Sequence, residues 1–239
     1  MTKLCGWLVL LGALPTAVVA DEGVLRRHTP SQSGGWPSDT NYPAYGMMGN
    51  SQVLADDFLL EADAAIRQIA WWGHYGLASP PADEMMRIRF YLPDLAGGLP
   101  GNLVAELAVA NPQREATGML VSASAGEAGL YPEYRFQAIL SSPVSLVADT
   151  PYWIEIAESG GPLGLFVWEF ATADQNGFAY ANPEVAPWQR SVFGGDLAFE
   201  LSTVPEPGTI CLVMLGVALV RRGSRRAALS SCGLQQCLG

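Results

Sequence analysis

His28 and His74 are the only histidines in this 239-residue chain, so any general base of the usual kind has two candidates. A Ser-His-Asp triad would have to use one of them. Ser124 lies in Ser122-Ala123-Ser124-Ala125-Gly126, one residue short of the G-x-S-x-G elbow, because position 122 is Ser. That stretch reads as a small flexible turn, and no catalytic residue is assigned. One histidine in the expected core segment cannot make a two-His zinc site. The cysteines are Cys5, Cys211, Cys232 and Cys237, all near the ends, which leaves residues 21–203 without a thiol nucleophile, a disulfide or a Cys-ligated zinc. Acids are plentiful. Asp56, Asp57, Asp83, Glu84, Glu155 and Glu169 are the candidates for a glycosidase pair, which needs two carboxyls about 5 to 9 Å apart across a cleft. Spacing along the chain does not set that distance, and these acids read mainly as solvated surface.

Calcium is the one cofactor worth weighing for an acidic domain. Asp174-Gln175-Asn176-Gly177 resembles the middle of an EF-hand loop, but the frame puts Thr172 and Pro183 where carboxylates are required. It reads better as a hairpin turn. Asp56-Asp57 is the alternative. Neighbouring strand residues point to opposite faces, so one of the two faces the core and needs a partner, either Ca²⁺ or a backbone turn. Aromatic residues are the strongest remaining signal. Trp71 and Trp72 cannot both face a core, and Trp188 sits between Pro187 and Gln189 in a loop. Trp71, Trp72, Tyr75 and Trp188 are therefore the candidate carbohydrate-binding platform. Trp153 and Trp168 are assigned to core packing.

The elements that must position these residues have a period of two. Val53 to Leu60, Ile66 to Trp72, Met86 to Leu92, Leu103 to Val109, Tyr134 to Leu140, Pro143 to Val147, Tyr152 to Ala157, Leu165 to Phe170, Phe178 to Ala181 and Asp196 to Leu201 read as strands separated by Gly, Pro, Asn and Asp. Met86, Ile88, Phe90 and Leu92 are expected inward, as are Leu103, Ala105, Leu107 and Val109. The expected fold is all-β, an antiparallel β-sandwich of jelly-roll type over residues 52–203. Residues 21–51, rich in Pro, Gly, Ser and Asn, are expected to be irregular. Residues 21–203 hold 22 acids against 8 arginines and no lysine, a formal charge of −14. Such a surface repels nucleic acid and anionic lipid.

Two hydrophobic stretches flank this domain. Lys3 followed by the apolar run Leu4 to Val19, with cleavage expected between Ala20 and Asp21, makes residues 1–20 a signal peptide, an N-terminal helix removed on export. At the other end, Val204-Pro205-Glu206-Pro207 is followed by eleven uncharged residues from Ile210 to Val220, then Arg221, Arg222, Arg225 and Arg226. The run, expected as a hydrophobic helix, spans about 16 Å, short against a hydrocarbon core of about 30 Å. Residues 227–239 are expected to be a disordered extension.

A Pro-Glu-Pro box, an apolar run and a basic end in this order resemble the PEP-CTERM sorting signal of exported bacterial proteins. The resemblance implies cleavage near the box by an exosortase, a membrane-embedded protease-like enzyme. It further implies an inner-membrane-anchored precursor and a mature protein at the surface or in the matrix of an exopolysaccharide-producing Gram-negative bacterium. Ala55-Asp56-Asp57-Phe58, Ile69-Ala70-Trp71-Trp72-Gly73, Tyr152-Trp153-Ile154, Trp168 and Gly195-Asp196-Leu197-Ala198-Phe199 are similar to a layout that recurs among uncharacterised PEP-CTERM proteins, which implies a β-sandwich and no particular activity. The functional expectation is a non-enzymatic structural or binding sandwich. An exopolysaccharide-binding module using exposed Trp and Tyr is the alternative, and a glycoside-active enzyme comes third.

Overall fold

A computed structural model of the chain describes residues 23–40, 51–76, 80–96, 98–122, 130–159, 165–172, 177–182, 187–192 and 195–203. The signal helix, the hydrophobic segment at 210–220 and the 227–239 extension lie outside them. Among the described residues no helix is long and apolar enough to cross a membrane.

The described structure is all β. Fourteen strands run β1 (Val24–His28), β2 (Pro30–Pro37), β3 (Val53–Phe58), β4 (Ala64–Tyr75), β5 (Met85–Pro93), β6 (Pro100–Ala110), β7 (Gln113–Ser122), β8 (Leu130–Leu146), β9 (Tyr152–Glu158), β10 (Phe166–Ala171), β11 (Ala179–Ala181), β12 (Gln189–Arg190), β13 (Asp196–Leu197) and β14 (Phe199–Ser202). They form two antiparallel sheets. One has the order β12-β11-β3-β9-β5-β6, and the other holds β1-β14-β4-β10-β13 together with β2, β7 and β8.

Alternation builds the core between the sheets. Leu54 and Phe58 of β3, Met86, Ile88 and Phe90 of β5, and Ile154 and Ile156 of β9 face Ile69 and Trp71 of β4, Phe136 of β8, Phe166 and Trp168 of β10, and Phe199 and Leu201 of β14. Rings bridge the layers: Phe58 meets Phe199 at 5.8 Å and 66°. Within the eight-stranded sheet Trp71 stacks on Phe136 at 5.5 Å and 7°.

Within residues 21–51, expected to be irregular, the described residues hold two strands, β1 and β2. β1 pairs with β14, and β2 pairs with β10. Their Pro, Gly and Ser content reads as loop, yet the backbone ladder of distant strands supplies the pairing. Glycine is needed here: a Cβ on Gly35 would come within 2.2 Å of the Trp168 carbonyl oxygen, so β2 lies against β10 closer than any side chain permits. β7 matches no expected strand, since most of its side chains are exposed and carry no apolar period. Leu103 is half exposed rather than inward. A bulge follows Phe90↔Ala105, so that Leu103 pairs with the outward Tyr91.

The two ends of the domain meet. The Thr203 N–H donates to the Gly23 carbonyl at 2.8 Å, beside the β1–β14 ladder.

Candidate functional site

The outer face of the six-stranded sheet concentrates rings and charges. Asp57 pairs with Trp153, and Trp153 with Tyr91, across β3, β9 and β5. One row along, Ala55 pairs with Glu155 and Glu155 with Arg89, which pairs in turn with Glu106. These side chains point away from the core, yet Trp153 and Glu155 are about 1 % exposed. Two coverings account for this. The Trp153 Nε1–H donates to the Gly98 carbonyl at 3.0 Å, bringing that loop onto the face. Trp188 lies over a floor of small residues, packing against Ala55 and Ala179 on one side and Val53, Ala157 and Ala181 on the other. Trp188 also meets Tyr91 edge-on at 5.9 Å, and the Arg190 guanidinium sits 5.2 Å from the Trp153 ring centre.

Glu155 is the polar hub of this face. It accepts from the Tyr91 hydroxyl at 2.6 Å and from Arg87 Nε at 2.9 Å, and Arg87 forms an ion pair with it. Burial, followed by the charge of Glu155, holds the Tyr91 hydroxyl well above the usual phenol range. At neutral pH this tyrosine donates a proton in a hydrogen bond and does not act as a base.

The carbohydrate candidates separate accordingly. Trp71 and Tyr75 are buried in the core and present no platform. Strand alternation sends Trp72 outward, where it is half-buried beneath the Arg135 guanidinium at 5.5 Å. Trp188 is half-buried on the opposite sheet. The four therefore do not form one surface. Trp153, assigned from its sequence to core packing, is buried on the outer face instead.

Asp56 is the inward member of the Asp56-Asp57 pair, and its partners are protein groups. Its carboxylate bridges the two sheets, accepting from the Leu197 N–H at 2.9 Å and contacting His28 Nδ1 at 3.0 Å. Arg26 Nε donates to His28 Nε2 at 3.1 Å, which fixes the neutral tautomer with the proton on Nδ1, donated to Asp56. Burial raises the Asp56 carboxyl to about 6, opposed by His28. His28 is 2 % exposed and lies 4.5 Å from the Phe199 ring, a position that clamps β1 to the core and admits no substrate. Two protein groups thus serve Oδ2 of the buried aspartate, and its Oδ1 is buried without a hydrogen bond. Asp57, half-buried, lies on the other face.

His74 belongs to a separate cluster. β2 and β7 touch, curling the eight-stranded sheet over its own outer side. Within that curl His74 stacks on Tyr131 at 5.4 Å, and Glu133 and Glu169 are buried. Glu169 accepts from the Gln32 N–H of β2 at 2.9 Å. Its carboxyl is pushed far above the usual range by burial, then by its hydrogen bond and charge contact with Glu133. His28 and His74 stand on strands of the same sheet but on opposite faces, and they share no constellation. Ser124 and residues 174–176 lie outside the described residues, as do Ala20, Asp21, the Val204-Pro205-Glu206-Pro207 box and Arg221, Arg222, Arg225 and Arg226. Among the described residues no group of three metal-ligating side chains converges as a metal site.

Residues 26–202 match a family described as Domain of unknown function (DUF7901), an interval running from β1 to the end of β14. The chain belongs to the DUF7901 family. The next interval, residues 203–226, matches the PEP-CTERM protein-sorting motif. Among curated proteins none matches the chain. The DUF7901 domain thus begins within β1 and includes most of the segment expected to be irregular. The sorting motif begins at Thr203, the residue that follows β14, and marks an exported protein targeted by an exosortase.

Proposed function

We propose that this protein serves at the cell surface or in the extracellular matrix as a structural or binding module without catalytic activity, its two sheets forming a jelly-roll-like sandwich. The observation that carries this reading is the attachment of a sorting motif directly to a domain in which Glu155 and Asp56 are engaged by its own side chains and backbone. Glu155 is saturated by Tyr91 and Arg87, and one oxygen of Asp56 is taken by His28 and the Leu197 N–H. Catalytic carboxylates would face an accessible reacting centre instead. An exosortase would process an inner-membrane-anchored precursor near Pro205-Glu206-Pro207, and the mature domain would leave the membrane.

Intact mass and location in the native host test this. With the box intact, the mature protein should end near Pro205 and reside outside the cell. Replacing Pro205, Glu206 and Pro207 by alanine should retain a longer, membrane-bound form. Processing and location unchanged by that replacement would sink the reading.

The exopolysaccharide-binding alternative draws on the face bearing Trp188, Tyr91, Trp153 and Arg190. Flat rings beside charged hydrogen-bonding groups suit sugar rings, and Trp188 is the accessible ring of the three. Retention of the secreted domain on host exopolysaccharide, lost in Trp188→Ala and kept in Trp72→Ala, is the expected result. Equal retention of both variants would remove this face as the binding surface.

A further inference from the structure

β6 closes one end of the six-stranded sheet, and among the described residues no strand pairs with its outer side. The second half of β6 is regular. Six rungs join it to β5 without a break, from Met85↔Ala110 to Phe90↔Ala105. Alternation turns Ala105, Leu107 and Val109 toward the core, where they are only partly covered. Glu106, Ala108 and Ala110 turn outward and are exposed. Alternate residues of such a strand aim an N–H and a C=O past the sheet, which makes the edge a template for another strand. Short strands, bulges, prolines and charges, lysine above all, are what ordinarily blunt an edge. Residues 21–203 contain no lysine.

Elsewhere in the two sheets these devices are present. β12 and β13 have two residues each. β1 is bulged between Val24 and Arg26 and carries Arg26 and Arg27. β2 begins and ends on proline, and the far half of β8 contains Pro143. β7 loses register between Ala116 and Leu120 and carries Arg114 and Glu115. The first half of β6 is guarded in the same way, by Pro100 and by register shifts on both sides of Tyr91. Residues 105–110 hold no proline, glycine or bulge. Their single charge is Glu106, which Arg89 of the same chain already holds at 2.9 Å.

We propose that residues 105–110 pair antiparallel with the same run of a second copy of this chain, joining two six-stranded sheets edge to edge across a two-fold axis. A second copy is the occupant that the charges favour. With a formal charge of −14 over residues 21–203, two copies repel at most approaches. At this edge the contact is alanine, leucine and valine with one carboxylate that its own chain neutralises. Directly opposed residues of an antiparallel pair share a face, so Leu107 on the axis sets Ala105 against Val109 and Glu106 against Ala108. The two Glu106 side chains then lie on a diagonal and not face to face, each beside its own Arg89. On the core side the Leu107 side chains of the two copies meet, which covers the inner row that one copy leaves partly open.

The test is sedimentation equilibrium on the processed protein purified after export, from about 1 µM to about 1 mM, which spans weak and stable association. At the upper end the wild-type mass should be twice that of one chain. Ala108→Glu sets a carboxylate against the partner's Glu106 at two symmetric places and should weaken the dimer about 2- to 30-fold. Ala108→Lys sets an ammonium there and should tighten it by a similar factor. Ala108 is exposed, so both variants should keep the wild-type circular dichroism. A merely structural effect would move both in the same direction. If one variant does not fold, the direction of the other decides. A wild-type monomer throughout would overturn the proposal and leave this edge to a strand of another protein. Equal association in the wild type and both variants would overturn it as well, by placing the contact elsewhere.

Discussion

Replacing Asp56 by alanine would strip an acceptor from two buried donors at once. The Leu197 N–H and His28 Nδ1–H approach the carboxylate at 2.9 and 3.0 Å, and both residues are almost wholly out of water. Each orphaned donor costs about 1 to 3 kcal/mol, so the gross loss is about 2 to 6 kcal/mol. Some of it returns, because the raised carboxyl pKa shows that burying this charge is itself unfavourable. A net destabilisation of about 2 to 4 kcal/mol follows, a large share of the roughly 5 to 15 kcal/mol typical of a domain. The informative measurement is a double-mutant cycle by urea unfolding on wild type, Asp56→Ala, His28→Ala and the double variant. His28 and Asp56 should couple by about 1 to 3 kcal/mol. Coupling below about 0.5 kcal/mol would mean that the bond between β1 and β3 contributes no more than ordinary contact, and the clamp reasoning would be wrong.

Two further outcomes are expected. Glu84, Glu158 and Glu169 all have carboxyl pKa values raised in the fold, so the native state holds protons that the unfolded chain has released. Their contribution is fully present below the unfolded value of about 4.5 and is lost as pH rises through about 7 to 9. Stability should therefore fall between pH 5 and 9, and Glu169→Gln should flatten the slope by about 1.4 kcal/mol per pH unit, read from urea unfolding across that range. A rise in stability over the same interval would contradict the assigned shifts. Gly35→Ala should cost at least about 1 to 3 kcal/mol and free β2, because the obstruction is the Trp168 backbone and not a movable side chain. Proteolysis within 30–37 should accelerate, and unchanged protection would refute the close approach.

How much of this was legible depends on where the information resides. β3, β5, β9 and β14 announce themselves because their apolar residues alternate within a few positions of each other. The inward Asp56 was also legible, since adjacent aspartates cannot both face water from a half-buried strand. Its partner was not: His28 comes from a strand that looks like loop and is held only by pairing to residues such as Phe199, far along the chain. Trp153 shows a second limit. Alternation placed it opposite the core row, but its burial depends on Gly98 and Trp188 arriving from elsewhere. Glu158 carried a signal that stopping the strand at Ala157 missed, since it continues the spacing of Ile154 and Ile156. Leu103 obeyed the period until a bulge, invisible in composition, shifted its phase.

The bond between Thr203 and Gly23 also sets an order of events in time. β14 lies between β1 and β4 in its sheet, so until the last residues of the domain are outside, the first strand has no neighbour to pair with. The closing contact joins segments some 170 residues apart, and contacts between such distant segments form slowly because the chain must first surrender the entropy of a very large loop. A chain still threaded through a membrane channel therefore carries an open sheet edge beside β4, and only arrival of the segment that leads into the sorting motif completes the sheet. Folding and export of the domain finish at the same residue.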